Sequence, residues 1–215
     1  MISRKTFAAT AAVLALALVG APASAQVGGS AIKSMLGQAS DSALDQLSKP
    51  GAFSADQAIA IALPGGKGVG DLMNLASKAG LTGDINGSLN RAAEQAAAQA
   101  KPIFRAAIDK ATLNDAVGAL RGDTGATDYL KKSTGPEIAA QLKPLVQAAL
   151  QSSGVLKQTS QLSALGFNDA KLTDYVTGKT SDGIFTYVGR EETKMRQNPL
   201  ETGKNLLQGM KGLKF

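Results

Sequence analysis

Residues 183–189 read GIFTYVG, from Gly183 to Gly189, and the assignment of this run decides the fold class. It is the one strand-like run in the chain. A lone strand is not stable by itself. The same residues also fit a helix, because Ile184, Phe185, Val188 and Met195 fall on one face at helical spacing. The spacing therefore predicts a helix over Thr180 to Gln197, and with it an all-α protein.

Working outward, Asp169 opens a helix holding Leu172, Tyr175 and Val176. Asn198-Pro199-Leu200-Glu201 is a start signal for a last helix, with Leu206, Leu207, Met210 and Leu213 on its face. Upstream, Gly135-Pro136-Glu137 predicts a helix start, Pro144 a kink or break near Gln141, and Gly154 the end. Val155 to Leu165 reads as a weaker helix, and Gly166-Phe167-Asn168 as a turn.

The stretch LRGDTGATDYLKKST, Leu120 to Thr134, contains the adhesion tripeptide Arg121-Gly122-Asp123. A helix–helix joint explains it more economically. Gly122 suits the left-handed residue after a helix end. Asp123 or Thr124 can cap the next helix over Ala126 to Ser133, with Tyr129 and Leu130 packing inward. Asp128 is the expected partner of Arg121. Thr112 to Asp115 opens the short helix that precedes the joint.

In the first half, Gln26 to Ser30 reads as a flexible leader. Ile32, Leu36, Ala39, Ala43 and Leu47 then mark a helix from Ser30 to Ser48, stopped by Lys49-Pro50-Gly51. Ser54-Ala55-Asp56-Gln57 has the form of a capping box. The Gly-rich IALPGGKGVG fails as a phosphate loop, since Gly68 follows Lys67 where Ser or Thr is needed. It feeds a helix over Val69 to Ala79. Asp84 to Ala100 forms another, which Pro102 kinks or restarts. Asp84, Asn86 and Ser88 do not make a calcium loop, because Leu89 and Gln95 stand where Gly and Glu are required. The buried stripes are rich in Ala, so helices can approach closely. The expected architecture is a compact multi-helix bundle with short Gly-, Pro- and Asn-capped turns.

The extreme N-terminus reads as an address. Arg4 and Lys5 precede an apolar run from Phe7 to Val19, and Ala23-Ser24-Ala25 fits a secretory cleavage site. Residues 1–25 are thus a signal peptide cleaved after Ala25, and 26–215 a single helical domain. The expected product is exported, periplasmic and soluble. The chain has no Cys and no His. It can be neither lipidated at Cys nor stapled by disulfides. A Ser-His-Asp triad, a Cys nucleophile and an ordinary zinc site are all excluded. Ser30-Ala31-Ile32-Lys33 matches S-x-x-K, but the accompanying Ser-Asp-Asn motif is missing. The formal charge is +6, of which Arg4 and Lys5 supply two. The remaining mildly basic surface permits contact with an envelope protein or an anionic lipid surface. No nucleic-acid partner and no cofactor is expected.

The ordered motifs LNRAAEQAAAQAKPIF, TLNDAVGALRGDTGATDYLKKST, LTDYVTGKTSDGIFTYVGREETKMRQNP and LLQGMKGLKF resemble an exported bacterial family known as domain of unknown function 4197. The resemblance covers about residues 30–215 and implies an all-helical envelope protein with no assigned reaction. Many members look like lipoproteins, from which this Cys-free chain departs. The resemblance marks Asn90, Arg91, Glu94, Arg121, Thr127, Asp128, Tyr129, Asp182, Glu192 and Arg196 as candidate ligand or partner residues. The carboxylates Glu94 with Asp128, or Asp182 with Glu192, could pair to bind a hard cation or act as acid and base. The simpler reading pairs them with Arg91, Arg121 and Arg196 to fix helix registers. No residue is assigned as catalytic or metal-binding. Three functions remain: an interaction or scaffold protein of the envelope, a carrier or sensor of an apolar ligand between helices, and an enzyme using carboxylates and Arg.

Overall fold

A computed structural model of the chain describes residues 23–63, 85–112, 122–158 and 167–198. Among these residues the regular structure is helical throughout. The helices are α1 (Ala23–Leu47), α2 (Ala52–Ala55), α3 (Ile85–Ala98), α4 (Lys101–Lys110), α5 (Gly125–Ser152) and α6 (Asp169–Gln197). A short 3-10 turn, Val155–Gln158, follows α5. GIFTYVG is helical and lies inside α6, as its spacing predicts. The expected all-α bundle is the fold found.

Helix α6 packs against both α1 and α5, and α3 packs on α5. The α1 stripe Ile32, Leu36, Ala39, Ala43 and Leu47 is buried, as expected from its periodicity. On α3, Ala92, Ala93, Ala96 and Ala97 are all buried, so small side chains line its packed faces. Phe104 of α4 meets Phe185 of α6 with ring centroids 5.4 Å apart at 57°, a tilted geometry worth about 0.5–1.5 kcal/mol beyond area burial. Gly183 is needed on α6. A Cβ there would lie 2.7 Å from the Phe53 ring, which α2 drives against that helix.

Several boundaries differ from the sequence reading. The expected leader, Gln26 to Ser30, belongs to α1. Extending an existing helix fixes one residue per hydrogen bond, so propagation is cheaper than nucleation. Ser54 does not cap. It sits inside α2, its hydroxyl donates to the Gly51 carbonyl, and Gly51 holds the N-cap position. The two helices expected on either side of Gly135 are one, α5, with Pro136 and Pro144 inside it. Both prolines are exposed, as are Lys132 and Ala140, so the carbonyls that lose partners can turn to water. The buried stripe Leu130, Thr134, Ile138, Leu142, Val146 continues through them. The helix from Asp169 and the one expected from Thr180 are likewise the single α6, capped by Asn168 accepting from the Lys171 amide.

Gly122 is left-handed, φ +73°, as expected for the joint. Lys101–Lys110 restarts at Pro102, as expected. The helix over Val69 to Ala79, the short helix before Gly122, most of the helix expected over Val155 to Leu165, and the last helix after Asn198 lie outside the described residues. So do Arg121 and most of the expected signal segment.

Candidate functional site

The buried carboxylates are taken up by the fold itself. Glu192, fully buried on α6, sits at the N-terminus of α5. Its Oε1 accepts from the Ala126 amide at 3.0 Å. Its Oε2 accepts from the Thr127 amide at 2.7 Å and the Thr127 hydroxyl at 2.6 Å. Arg196, one turn on, donates to Oε1 from Nε at 2.8 Å and from Nη2 at 2.6 Å. A helix start leaves backbone N–H groups without intrahelical partners and carries partial positive charge. A carboxylate from another helix satisfies both needs. This corrects the expected cap. Thr124 holds the N-cap position but makes no side-chain cap bond, and its hydroxyl donates instead to Asp128 Oδ2 at 3.0 Å.

Glu94 and Asn90 on α3 serve the segment 51–63. Glu94 Oε1 accepts the Phe53 amide at 3.2 Å. Asn90 accepts the Ile61 amide and donates to the Ile61 carbonyl, each at 2.8 Å, as a neighbouring strand would. Asn86 accepts the Leu63 amide at 3.2 Å. From α6, Tyr175 donates to the Ala62 carbonyl at 2.6 Å. Asp56 accepts from Arg190, from the Tyr187 hydroxyl at 3.1 Å and from the Ala58 amide at 2.9 Å. The hydrogen bond from Arg190, helped by the Ala58 amide, holds the Asp56 carboxyl below its ordinary value. Burial pushes the Tyr187 hydroxyl up, and the bond to Asp56 adds to it.

Glu191 joins α6 to α1. It accepts from Ser42 at 2.9 Å, Gln46 at 3.0 Å and Lys194 at 2.6 Å. Burial pushes its carboxyl up, but the bonds from Gln46, Lys194 and Ser42 outweigh burial and hold it low.

The remaining candidates scatter. Arg91 is on the exposed face of α3 and donates to Ser88 at 2.7 Å. The Tyr129 hydroxyl donates to the Thr112 carbonyl. Asp182 is exposed and pairs with Lys131 at 2.8 Å. Arg121, the expected partner of Asp128, is outside the described residues. The expected carboxylate pair Asp182 with Glu192 does not form. Asp182 and Glu192 stand ten residues apart on one helix, roughly 15 Å along its axis. Glu94 bonds at α2, whereas Asp128 bonds at the start of α5. Among the described residues no group of three or more His, Cys, Asp or Glu is placed to hold a metal ion. No described helix is long and apolar enough to cross a membrane.

One open cleft, of about 300 Å³, lies between α5 and α6. The helices run antiparallel here, since Thr124 meets Gly189 while Lys131 meets Asp182. One edge is Thr124, Asp128 and Lys131 and the other Thr186, Arg190 and Thr193, each an i, i+4, i+7 stripe. Phe185 and Gly189 lie between them. Sequence reasoning found Asp128 and Thr127 of this cleft. It missed Lys131, Arg190 and the three threonines of the edges. Their matching spacing was visible, but nothing in the sequence says that these two helices are neighbours.

No curated protein and no solved structure matches the chain. A family model described as a protein of unknown function, DUF4197, matches residues 23–211. That span takes in every described helix, the Glu192 cap and both edges of the cleft, and the chain belongs to this family.

Proposed function

We propose that this chain is an exported bacterial envelope protein that acts by interaction and not by catalysis. The observation that carries the reading is the state of the buried carboxylates. Glu94, Glu191 and Glu192 are each held by donors from a second element. A general acid or base must reach a substrate proton, and a metal ligand needs lone pairs aimed at a shared point. Glu191 and Glu192 are committed to amides, hydroxyls and cations of their own chain, and Glu94 to the Phe53 amide. The apolar-carrier alternative fits less well, because the cleft is open and edged by charged and hydroxyl side chains. Export rests on the Arg4-Lys5 region, the apolar run and Ala23-Ser24-Ala25.

Native mass spectrometry of the protein purified from its own cell envelope tests both parts. The expected mass is that of a chain beginning at Gln26, in complex with a polypeptide partner. A chain retaining Met1 in the membrane overturns export. A stoichiometric lipid adduct without any polypeptide overturns the interaction role in favour of a carrier.

A further inference from the structure

The cleft between α5 and α6 presents both signs of charge, and its hydroxyls are already oriented. The Asp128 carboxylate accepts the Thr124 hydroxyl and has no cation within salt-bridge distance among the described residues. Lys131 and Arg190 are about half exposed, at 49% and 42% of their side chains, while paired with Asp182 and Asp56. Lysine has three N–H donors and arginine five, so each keeps donors beyond its pair. The Thr186 hydroxyl donates to the Asp182 carbonyl at 2.8 Å, and that of Thr193 to the Gly189 carbonyl at 3.0 Å. With their protons committed to the protein, the threonine oxygens meet a ligand as acceptors.

A purely anionic ligand would face Asp128 and find no hydroxyl proton to receive. A purely cationic one would face Lys131 and Arg190. A ligand carrying both charges a few bonds apart satisfies both edges. We propose that this cleft binds a small zwitterion. Its ammonium is taken by Asp128 and the threonine oxygens, and its carboxylate or phosphate by Lys131 and Arg190. The volume of about 300 Å³ is at the small end of ligand pockets, so the ligand is a small molecule. Two sources supply this chemistry: a free amino acid, and an ethanolamine phosphate headgroup.

Isothermal titration of the exported chain at low salt with L-alanine, O-phosphoethanolamine, acetate and methylammonium tests the assignment. At least one zwitterion should bind about tenfold or more tightly than either singly charged ion, a difference of about 1.4 kcal/mol. The preference between alanine and phosphoethanolamine then identifies the source. Asp128→Asn should weaken that binding by about tenfold or more, with the melting temperature nearly unchanged. If Asp128→Asn also melts early, Lys131→Gln carries the same test, because its ion pair is on the surface. Failure of both zwitterions to bind, acetate binding as tightly as alanine, or unchanged affinity in the variant overturns the proposal. The outcome is independent of partner capture, since a zwitterion can bind whether or not a polypeptide co-purifies.

Discussion

Replacing Glu192 by Ala removes the acceptor of two backbone amides and one hydroxyl at the start of α5, together with the counter-ion of Arg196. Each buried donor left without a partner costs about 1–3 kcal/mol. Water entering the vacated space moves the amides toward the lower figure. Breaking a buried pair by removing one ion costs about 3–5 kcal/mol. The Arg196 side chain is 22% exposed, so it can partly rehydrate. The terms overlap, and the expected loss is about 3–5 kcal/mol. A domain of this size shifts by about 2–4 °C per kcal/mol, so the melting temperature should fall by about 6–20 °C. Circular dichroism melts and urea titrations of the protein read this directly. Glu192→Gln keeps one carbonyl acceptor and should fall between wild type and Ala. Lys143→Ala, which breaks an exposed pair with Asp174, is the control and should cost about 0–1 kcal/mol. A Glu192→Ala variant within about 1 kcal/mol of wild type, well below what a buried pair costs, would refute the capping role.

Other perturbations test other contacts. Gly183→Ala should cost about 1–3 kcal/mol by overpacking against Phe53, and Phe53→Leu in the same chain should recover part of that loss in a double-mutant cycle. Asn90→Ala removes both bonds to Ile61 and should cost about 1–3 kcal/mol, with hydrogen exchange at the Ile61 amide accelerating. Asp56 and Glu191 have folded carboxyl values below their ordinary ones, 3.8 and 4.5. The unfolded state therefore binds protons first as pH falls. Their contribution is present above those ordinary values and disappears as pH drops through the lower folded ones. Stability should thus be flat near neutrality and fall in acid. The stability gap between wild type and Asp56→Asn should shrink over that acid range, and a gap that widened would contradict the Arg190 pairing.

Much of the fold is visible in local spacing. The apolar stripes of α1 and α6, the helix start at Asp169, the Pro102 restart and the left-handed Gly122 all follow from neighbours a few residues apart. The errors come from weighing local signals without their surroundings. Gly135-Pro136-Glu137 looks like a helix start and Pro144 like a kink or break, but exposure of the adjoining turns lets α5 run through both. Ser54 has the spacing of a cap, but Gly51 starts α2 first. The Glu192–Arg196 pair is legible as an i, i+4 contact. Its use as a cap for α5 is not, because the amides it holds are 65 and 66 residues away in sequence. The same limit hid Asp56 with Arg190 and brought together the two edges of the cleft only in three dimensions.

The buried carboxylates Glu94, Glu191 and Glu192 are bound to the fold. Residue-resolved amide hydrogen exchange at Ala126 and Thr127 tests this most directly. Amides in the first turn of a helix lack intrahelical acceptors and ordinarily exchange fast. Here both should be protected in wild type to the level of the α5 interior, and that protection should vanish in Glu192→Ala while residues 140–150 stay protected. Fast exchange at both amides in the wild-type protein would contradict the account and leave Glu192 free for another role.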